Sequence, residues 1–254
     1  MAEKTKISWT DSTWNPAWGC TKIGPGCDRC YAERLAKRYG FDVWGPDKPR
    51  RTFGKKHWTQ PIAWNRKAEK EGKRTKVFCA SMCDVFERHP DIEEMREVLW
   101  DVVRDTPHLD WQILTKRPHR IAENLPIDWA NGYDNVWLGT SVENGNFAWR
   151  ADFLREIPAA IRFVSCEPAL GPMVKLSLDG IDWVIYGGES GPGFRKDDVR
   201  WARDLRERCR ESGVAFFYKQ ASGRSPGTDA LLDGKEAKEF PTPRKASQGI
   251  LDVV

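Results

Sequence analysis

Cys20, Cys27 and Cys30 stand in a C-x6-C-x2-C spacing on a loop punctuated by Gly19, Gly24, Pro25 and Gly26. Glycines let the backbone approach an inorganic group closely and reach positive φ. Three thiolates on one loop suit an iron–sulfur cluster with one iron left open. They also suit a zinc ion whose fourth ligand is Asp28 or a distant His. Incidental cysteines are the plain alternative, and three on one Gly/Pro loop ahead of a helix at Tyr31–Tyr39 argue against it. The expected metal ligands are therefore Cys20, Cys27 and Cys30.

A second set of chemistry-bearing residues follows short apolar runs. Ser81-Met82-Cys83-Asp84 comes after Lys76–Ala80, and Thr115-Lys116-Arg117 after Trp111–Leu114. Gly139-Thr140-Ser141-Val142-Glu143 ends the run from Asn135, and Ser165-Cys166-Glu167-Pro168 the run from Ile161. Gly187-Gly188-Glu189-Ser190-Gly191 follows Asp182–Tyr186, and Lys219-Gln220 follows Val214–Tyr218. Runs of four to five Val, Ile, Phe and Trp read as buried strands of a parallel sheet. Between some of them lie helical patterns over Ile92–Arg104 and Val199–Ser212, with Gly213 at a C-cap position and Asp91 as a candidate N-cap. With a strand near Ile7–Thr10 there are about seven βα units, which predicts an α/β fold, a full or partial (β/α) barrel. All strand C-termini of such a barrel face one mouth, where ligands bind. Three carboxylates, a lysine and several hydroxyls would converge there, although polar loops alone are unremarkable.

Charge is uneven. Eleven Lys or Arg against Glu69 and Glu71 give residues 48–76 a charge of +9 in a chain of +4, leaving −5 elsewhere. Trp44, Phe53, Trp58 and Trp64 border or interrupt this stretch. Basic charge with aromatic faces suits a nucleic-acid backbone and its bases. Arg50, Arg51, Lys55, Lys56, Trp58 and Trp64 are the expected contacts, and a solvated loop pinned by its tryptophans is the plain alternative. The segment is far longer than an ordinary βα connection. It is expected to cover the mouth. No apolar run reaches the roughly 20 residues of a membrane span, and no secretory signal opens the chain. A cytoplasmic protein with no membrane association is expected. Seven cysteines in a reducing compartment read as ligands or core residues rather than disulfides.

The remaining candidates are weaker. Cys79 and Cys83 could ligate a second cluster but read as buried structural residues, and Cys209 as core. Cys166, beside Glu167, is either a hydrogen donor in the mouth or a small neutral filler. His57, His89, His108 and His119 form no ligand spacing, and surface placement is their default. Trp9, Trp14 and Trp18 are expected to shield the cysteine loop from water.

A three-cysteine loop after the first strand of a (β/α) barrel resembles the radical S-adenosylmethionine enzymes. Their usual spacing is C-x3-C-x2-C, with an aromatic residue before the last cysteine; here the gap is six and Tyr31 follows it. More closely, the chain resembles an uncharacterised phage and bacterial group, the three-Cys-motif family. The likeness is carried by Trp9-Thr10-Asp11, Thr13-Trp14-Asn15-Pro16, Cys20 through Tyr31-Ala32-Glu33, and Leu114-Thr115-Lys116-Arg117-Pro118. It continues through the strand-end motifs above to Lys219-Gln220, covering about residues 7 to 240. It implies a radical-SAM type barrel over residues 1–254, with a basic insertion at about 41–76 and a C-terminal extension at about 221–254. It further implies a 4Fe-4S cluster on Cys20, Cys27 and Cys30, with S-adenosyl-L-methionine on the fourth iron. Ser81, Met82 and Asp84 take the place that receives the methionine amino group, where the usual Gly-Gly-Glu is absent. Thr115, Ser141, Glu143, Gly187, Gly188 and Glu189 complete the expected cofactor site. Cys166, Glu167 and Lys116 are the expected catalytic residues. The implied activity is 5′-deoxyadenosyl radical chemistry on DNA, RNA or a nucleotide, with an electron donor and an unidentified partner protein. A metal-stabilised nucleic-acid-binding protein without turnover is the competing expectation.

Overall fold

The computed structural model describes residues 4–243, so the end of the expected C-terminal extension lies outside the described residues. Seven strands form one sheet: β1 (Ser12–Trp14), β2 (Thr75–Cys79), β3 (Leu109–Thr115), β4 (Val136–Ser141), β5 (Ile161–Cys166), β6 (Trp183–Gly187) and β7 (Ala215–Gln220). They pair in sequence order, and every pairing is parallel. β1 and β7 do not pair with each other. The architecture is an open (β/α) half-barrel. The helices are α1 (Tyr31–Arg38), α2 (Lys55–Trp58), α3 (Gln60–Glu71), α4 (Pro90–Arg104), α5 (Trp149–Arg155) and α6 (Val199–Ser212).

Side-chain period two divides the strands between two cores. Val77, Cys79, Trp111, Ile113, Leu138, Val164, Cys166, Val184, Tyr186 and Phe216 belong to the cluster that includes Ala68 of α3, Leu99 and Val103 of α4, Leu154 of α5, and Leu205 and Cys209 of α6. Their alternates fill the concave face. There Phe78, Trp137, Phe163, Trp183, Ile185 and Phe217 gather around Trp9. Trp183 meets Phe163 at 5.8 Å, Trp137 at 5.9 Å and Phe217 at 6.0 Å between ring centroids. Gly139 makes room for this plug, since a Cβ there would lie 2.3 Å from the Phe163 ring. Apolar rings thus close the lower interior, and the polar strand ends lie beyond them.

Several expectations shift. The first strand is Ser12–Trp14, not Ile7–Thr10, because Trp9 is drawn into the aromatic plug. The N-cap of α4 is His89, while the Asp91 carboxylate accepts from the Arg50 amide at 2.8 Å. His57 is buried, its ring between Trp14 and Phe53, with Nε2 2.8 Å from the Asn15 carbonyl. α6 and its left-handed Gly213 cap fall where the pattern put them. Part of the basic stretch is a crossover: α3 packs on β2 and β3, burying Ala68 against the outer core, while Trp44 and Arg51 before it bridge to Cys20 and Trp18 of the cysteine loop. A tight turn at Asp233-Gly234, both with positive φ, joins Leu232 to Lys235. The chain then caps the β7 edge through Tyr218 N to Ala237 O and Glu239 N to Phe216 O, which guards an otherwise open sheet edge.

Phe163→Ala removes the ring that several plug members share. It should cost about 3–5 kcal/mol in urea unfolding; a loss under about 1 kcal/mol would mean the plug contributes little.

Candidate active site

Glu143 lies just beyond β4 and is 1% exposed. Its Oε2 accepts from Arg150 Nη1 of α5 at 2.8 Å, and Lys116 Nζ forms an ion pair with Oε1 at 2.8 Å. The cysteine loop packs directly on it. A Cβ on Gly26 would stand 2.2 Å from Glu143 Oε1. The same loop is held from the other side by Arg195, which donates to the Pro25 carbonyl at 3.0 Å and pairs with Glu189, itself 3.4 Å from Arg29. Burial alone would raise the Glu189 pKa, but the hydrogen bonds from Arg195 outweigh it and hold the carboxyl below its usual range.

A third clamp lies at the ends of β2 and β3. Asp84 accepts from Thr115 Oγ1 at 2.7 Å, from Arg117 Nη1 at 2.8 Å and from the Phe86 and Lys116 amides. Arg117 also donates to the Thr21 carbonyl at 2.8 Å and approaches Cys20 Sγ at 3.8 Å. Burial works against the Arg117 charge, yet Asp84, Cys20 and Glu87 more than compensate and raise its pKa.

Cys20, Cys27 and Cys30 are all half-buried and free. Cys30 occupies the N-cap position of α1; burial pushes its pKa up, and the neighbouring Glu33 and Ala32 amides partly offset that push. Cys27 and Lys116 both act electrostatically on Cys30. Cys20 is pushed far up by burial and then by Asp84, with Arg117 opposing. Amide donors and nearby cations suit thiolate ligands, so the donor set fits a metal cluster in chemistry. In arrangement it falls short of the expectation: among the described residues no group of three His, Cys, Asp or Glu is positioned to hold a metal.

Other expected residues divide sharply. Cys166 is fully buried on the outer face of β5, near Cys209, and burial drives its pKa well up. It is an inert core thiol rather than a mouth residue. Met82 packs with Trp18, Ala32 and Ala36 beneath α1. Asp84, Thr115 and Glu143 have their polar atoms engaged by protein groups and are not open to a cofactor. Gly188 serves a backbone crossing, with Ser222 N 2.0 Å from where its Cβ would be. Gly187 leaves room for Glu167, which pairs with Lys219 and stays a quarter exposed. Ser81 bonds Asn15 through its hydroxyl and Tyr31 through its carbonyl. Ser141 is buried, its carbonyl held by Arg150. What remains accessible at the mouth is Cys27, Cys30, Tyr31, Lys116, Glu167 and Lys219.

The nucleic-acid expectation also changes. Arg50 is buried, and its guanidinium is taken up by Glu87, Thr21 Oγ1 and the carbonyls of Val43, Gly45 and Lys48. Arg51 lies over the rings of Phe41, Trp18 and Phe53 at 4.0–4.9 Å. Trp58 stands edge-on to Trp14 at 5.0 Å, and Trp58 and Trp64 pack against the core. Arg50 is thus a buried strut, while Arg51, Trp58 and Trp64 are half-buried with one side packed on the protein. Lys55 and Lys56 stay exposed. The sequence does not single out Arg150 and Arg195, although their carboxylate partners, Glu143 and Glu189, lie only seven and six residues away.

Residues 4–241 match a family described as a protein of unknown function, DUF5131. The chain belongs to this family. The three-Cys-motif group and a phage source are not part of that match. No curated protein matches. Among solved structures, a spore photoproduct lyase double mutant with bound AdoMet and dinucleoside spore photoproduct is 12% identical with a TM-score of 0.47, over 83% of this chain and 64% of that one. A spore photoproduct lyase complexed with dinucleoside spore photoproduct is 14% identical with a TM-score of 0.46, over 77% of this chain and 59% of that one. The chain thus spans about three fifths of the structures it resembles. No helix of the described residues is long and apolar enough to cross a membrane.

Arg150→Met strands the buried Glu143 charge and should cost about 3–5 kcal/mol near neutral pH. Adding Glu143→Gln should recover a large part of that loss, as a double-mutant cycle would measure. Additive losses would show that the pair is not coupled.

Proposed function

We propose that this chain is a cluster-bearing enzyme of the radical S-adenosylmethionine type, acting on a nucleic-acid or nucleotide substrate. The supporting observation is a loop with three half-buried free thiols, clamped by Glu143, Arg117 and Arg195 at the strand ends of an open (β/α) barrel. Cys20, Cys27 and Cys30 would hold the cluster. When bound with S-adenosylmethionine and reduced by an external electron donor, that group supplies a carbon radical able to remove a substrate hydrogen atom. The protein's part is to bind, orient and exclude water. Glu167 and Lys219 offer the ligand a carboxylate and an ammonium from the same mouth. Burial raises the Cys30 pKa, and the Lys116 charge opposes that rise. The aromatic plug below closes the site to water from the opposite end. Free thiols suit a reducing, cytosolic compartment.

Anaerobic reconstitution should give about one 4Fe-4S cluster per chain, with visible thiolate-to-iron absorbance. Cys20→Ala, Cys27→Ala and Cys30→Ala should each abolish it, while Cys79→Ala and Cys209→Ala should not. Equal cluster content in Cys27→Ala sinks the ligand assignment. Reduction with S-adenosylmethionine present should release 5′-deoxyadenosine. A loaded cluster without that release would overturn the enzyme and leave a cluster-stabilised binding protein.

A further inference from the structure

A pocket of about 420 Å³ opens beside the cysteine loop, at the ends of β2, β3 and β4. Five cations line it: Arg88, Lys116, Arg117, Arg120 and Arg150. The single lining carboxylate, Glu87, is already engaged by Arg50 and by the Thr21 amide. The neighbouring carboxylates are likewise taken: Glu143 by Lys116 and Arg150, Asp84 by Arg117, and Glu123 by Arg120 at 3.1 Å. Four of the five lining cations thus share carboxylates, Lys116 and Arg150 sharing a single one, and Arg88 is the cation left without an ion pair among the described residues.

Two of its donors lack acceptors. Arg120 Nε and Arg150 Nε are buried without a hydrogen-bond partner among the described residues. A buried N–H left unpaired costs free energy that an anionic oxygen would restore. Arg88 is exposed and forms no ion pair among the described residues. Aromatic rings stand at the same place. Trp149 lines the pocket and is 41% exposed, and Phe153 is 48% exposed. They meet edge-on at 5.8 Å, with the His119 ring 6.1 Å from each. Large apolar rings left exposed beside a cationic cavity offer a base a stacking face and its phosphate a set of donors.

We propose that this pocket is a subsite for single-stranded nucleic acid, with a phosphate held by Arg88 and Arg120 and an adjoining base stacked on Trp149. Arg50, Arg51, Trp58 and Trp64 of the 48–76 stretch take no part. The proposal rests on the nucleic-acid half of the function proposed above, and its test needs neither cluster nor reductant.

Full-length protein is titrated with a fluorescent single-stranded oligonucleotide at several salt concentrations, the fold of each variant being checked by circular dichroism. Trp149→Ala should weaken binding about tenfold with little change in salt slope. Arg88→Ser with Arg120→Ser should weaken it at low salt and flatten the slope by about 0.7, one phosphate's worth for a single strand. Lys55→Ser with Lys56→Ser, outside the pocket, should stay within about twofold of the parent. Parent-like binding by either pocket variant overturns the subsite, as does a loss confined to the Lys55, Lys56 variant. Displacement of the strand by equimolar free nucleoside monophosphate would assign the pocket to small nucleotides and overturn the strand. Release of 5′-deoxyadenosine by a protein that binds no strand would remove this proposal and leave the enzyme standing.

Discussion

One buried carboxylate ties the upper half of the molecule together. Glu143 is almost wholly removed from water, so its charge is tolerable only because Arg150 and Lys116 share it. Arg150 comes from α5 and Lys116 from the end of β3, while the carboxylate itself follows β4. The cysteine loop is laid against the same side chain at Gly26, where any side chain would strike Oε1. Position 26 is therefore fixed by a charge at position 143. The loop's own sequence does not decide where it sits; a salt bridge more than a hundred residues away does.

The other clamps follow the same logic. Asp84 and Arg117 neutralise each other at the ends of β2 and β3, and Arg117 reaches on to Thr21. Glu189 and Arg195 do so beyond β6, with Arg195 reaching Pro25. Each pair sits partly in low dielectric, where an ion pair is both strong and intolerant of losing one member. The mouth thus contains many charged groups and few available ones. Glu167 with Lys219 is the pair left partly open, because Gly187 beside it contributes no side chain to cover it.

Much of the fold was legible because it depends on local pattern. Apolar runs of β-formers marked β2 to β7, and the fourth-residue spacing with a terminal glycine marked α6. β1 was misplaced since Ile7 and Trp9 look like strand residues, and only tertiary packing shows Trp9 to be a plug. The site was legible as a location but not as a set of roles. Glu143, Glu189 and Asp84 were visible as carboxylates at strand ends. Arg150 and Arg195 consume Glu143 and Glu189 from seven and six residues away and Arg117 consumes Asp84 from 33, spacings that belong to no shared helix or strand and so carry no pattern to read. Cys166 differs: counting alternately from the inward Phe163 turns it outward and Glu167 inward, so period two alone held that answer.

The basic segment shows why net charge is a poor guide to a binding face. Its +9 is a count, whereas attraction to a polyanion depends on which charges remain unpaired and exposed. Arg50 became a buried strut, Arg51 a cation over three rings, Arg74 the partner of Asp110 and Lys76 the partner of Asp11. Arg50 and Arg51 are consumed in the loop between α1 and α2, beside the small apolar cluster of Val43, Trp18 and Met82, and Arg74 and Lys76 at the start of β2. Around Arg88 and Arg150 the sequence is not notably basic, although Lys116, Arg117 and Arg120 stand close together. There the cations come from three separate connections, and it is the sheet, by bringing β2, β3 and β4 to one edge of the mouth, that concentrates them.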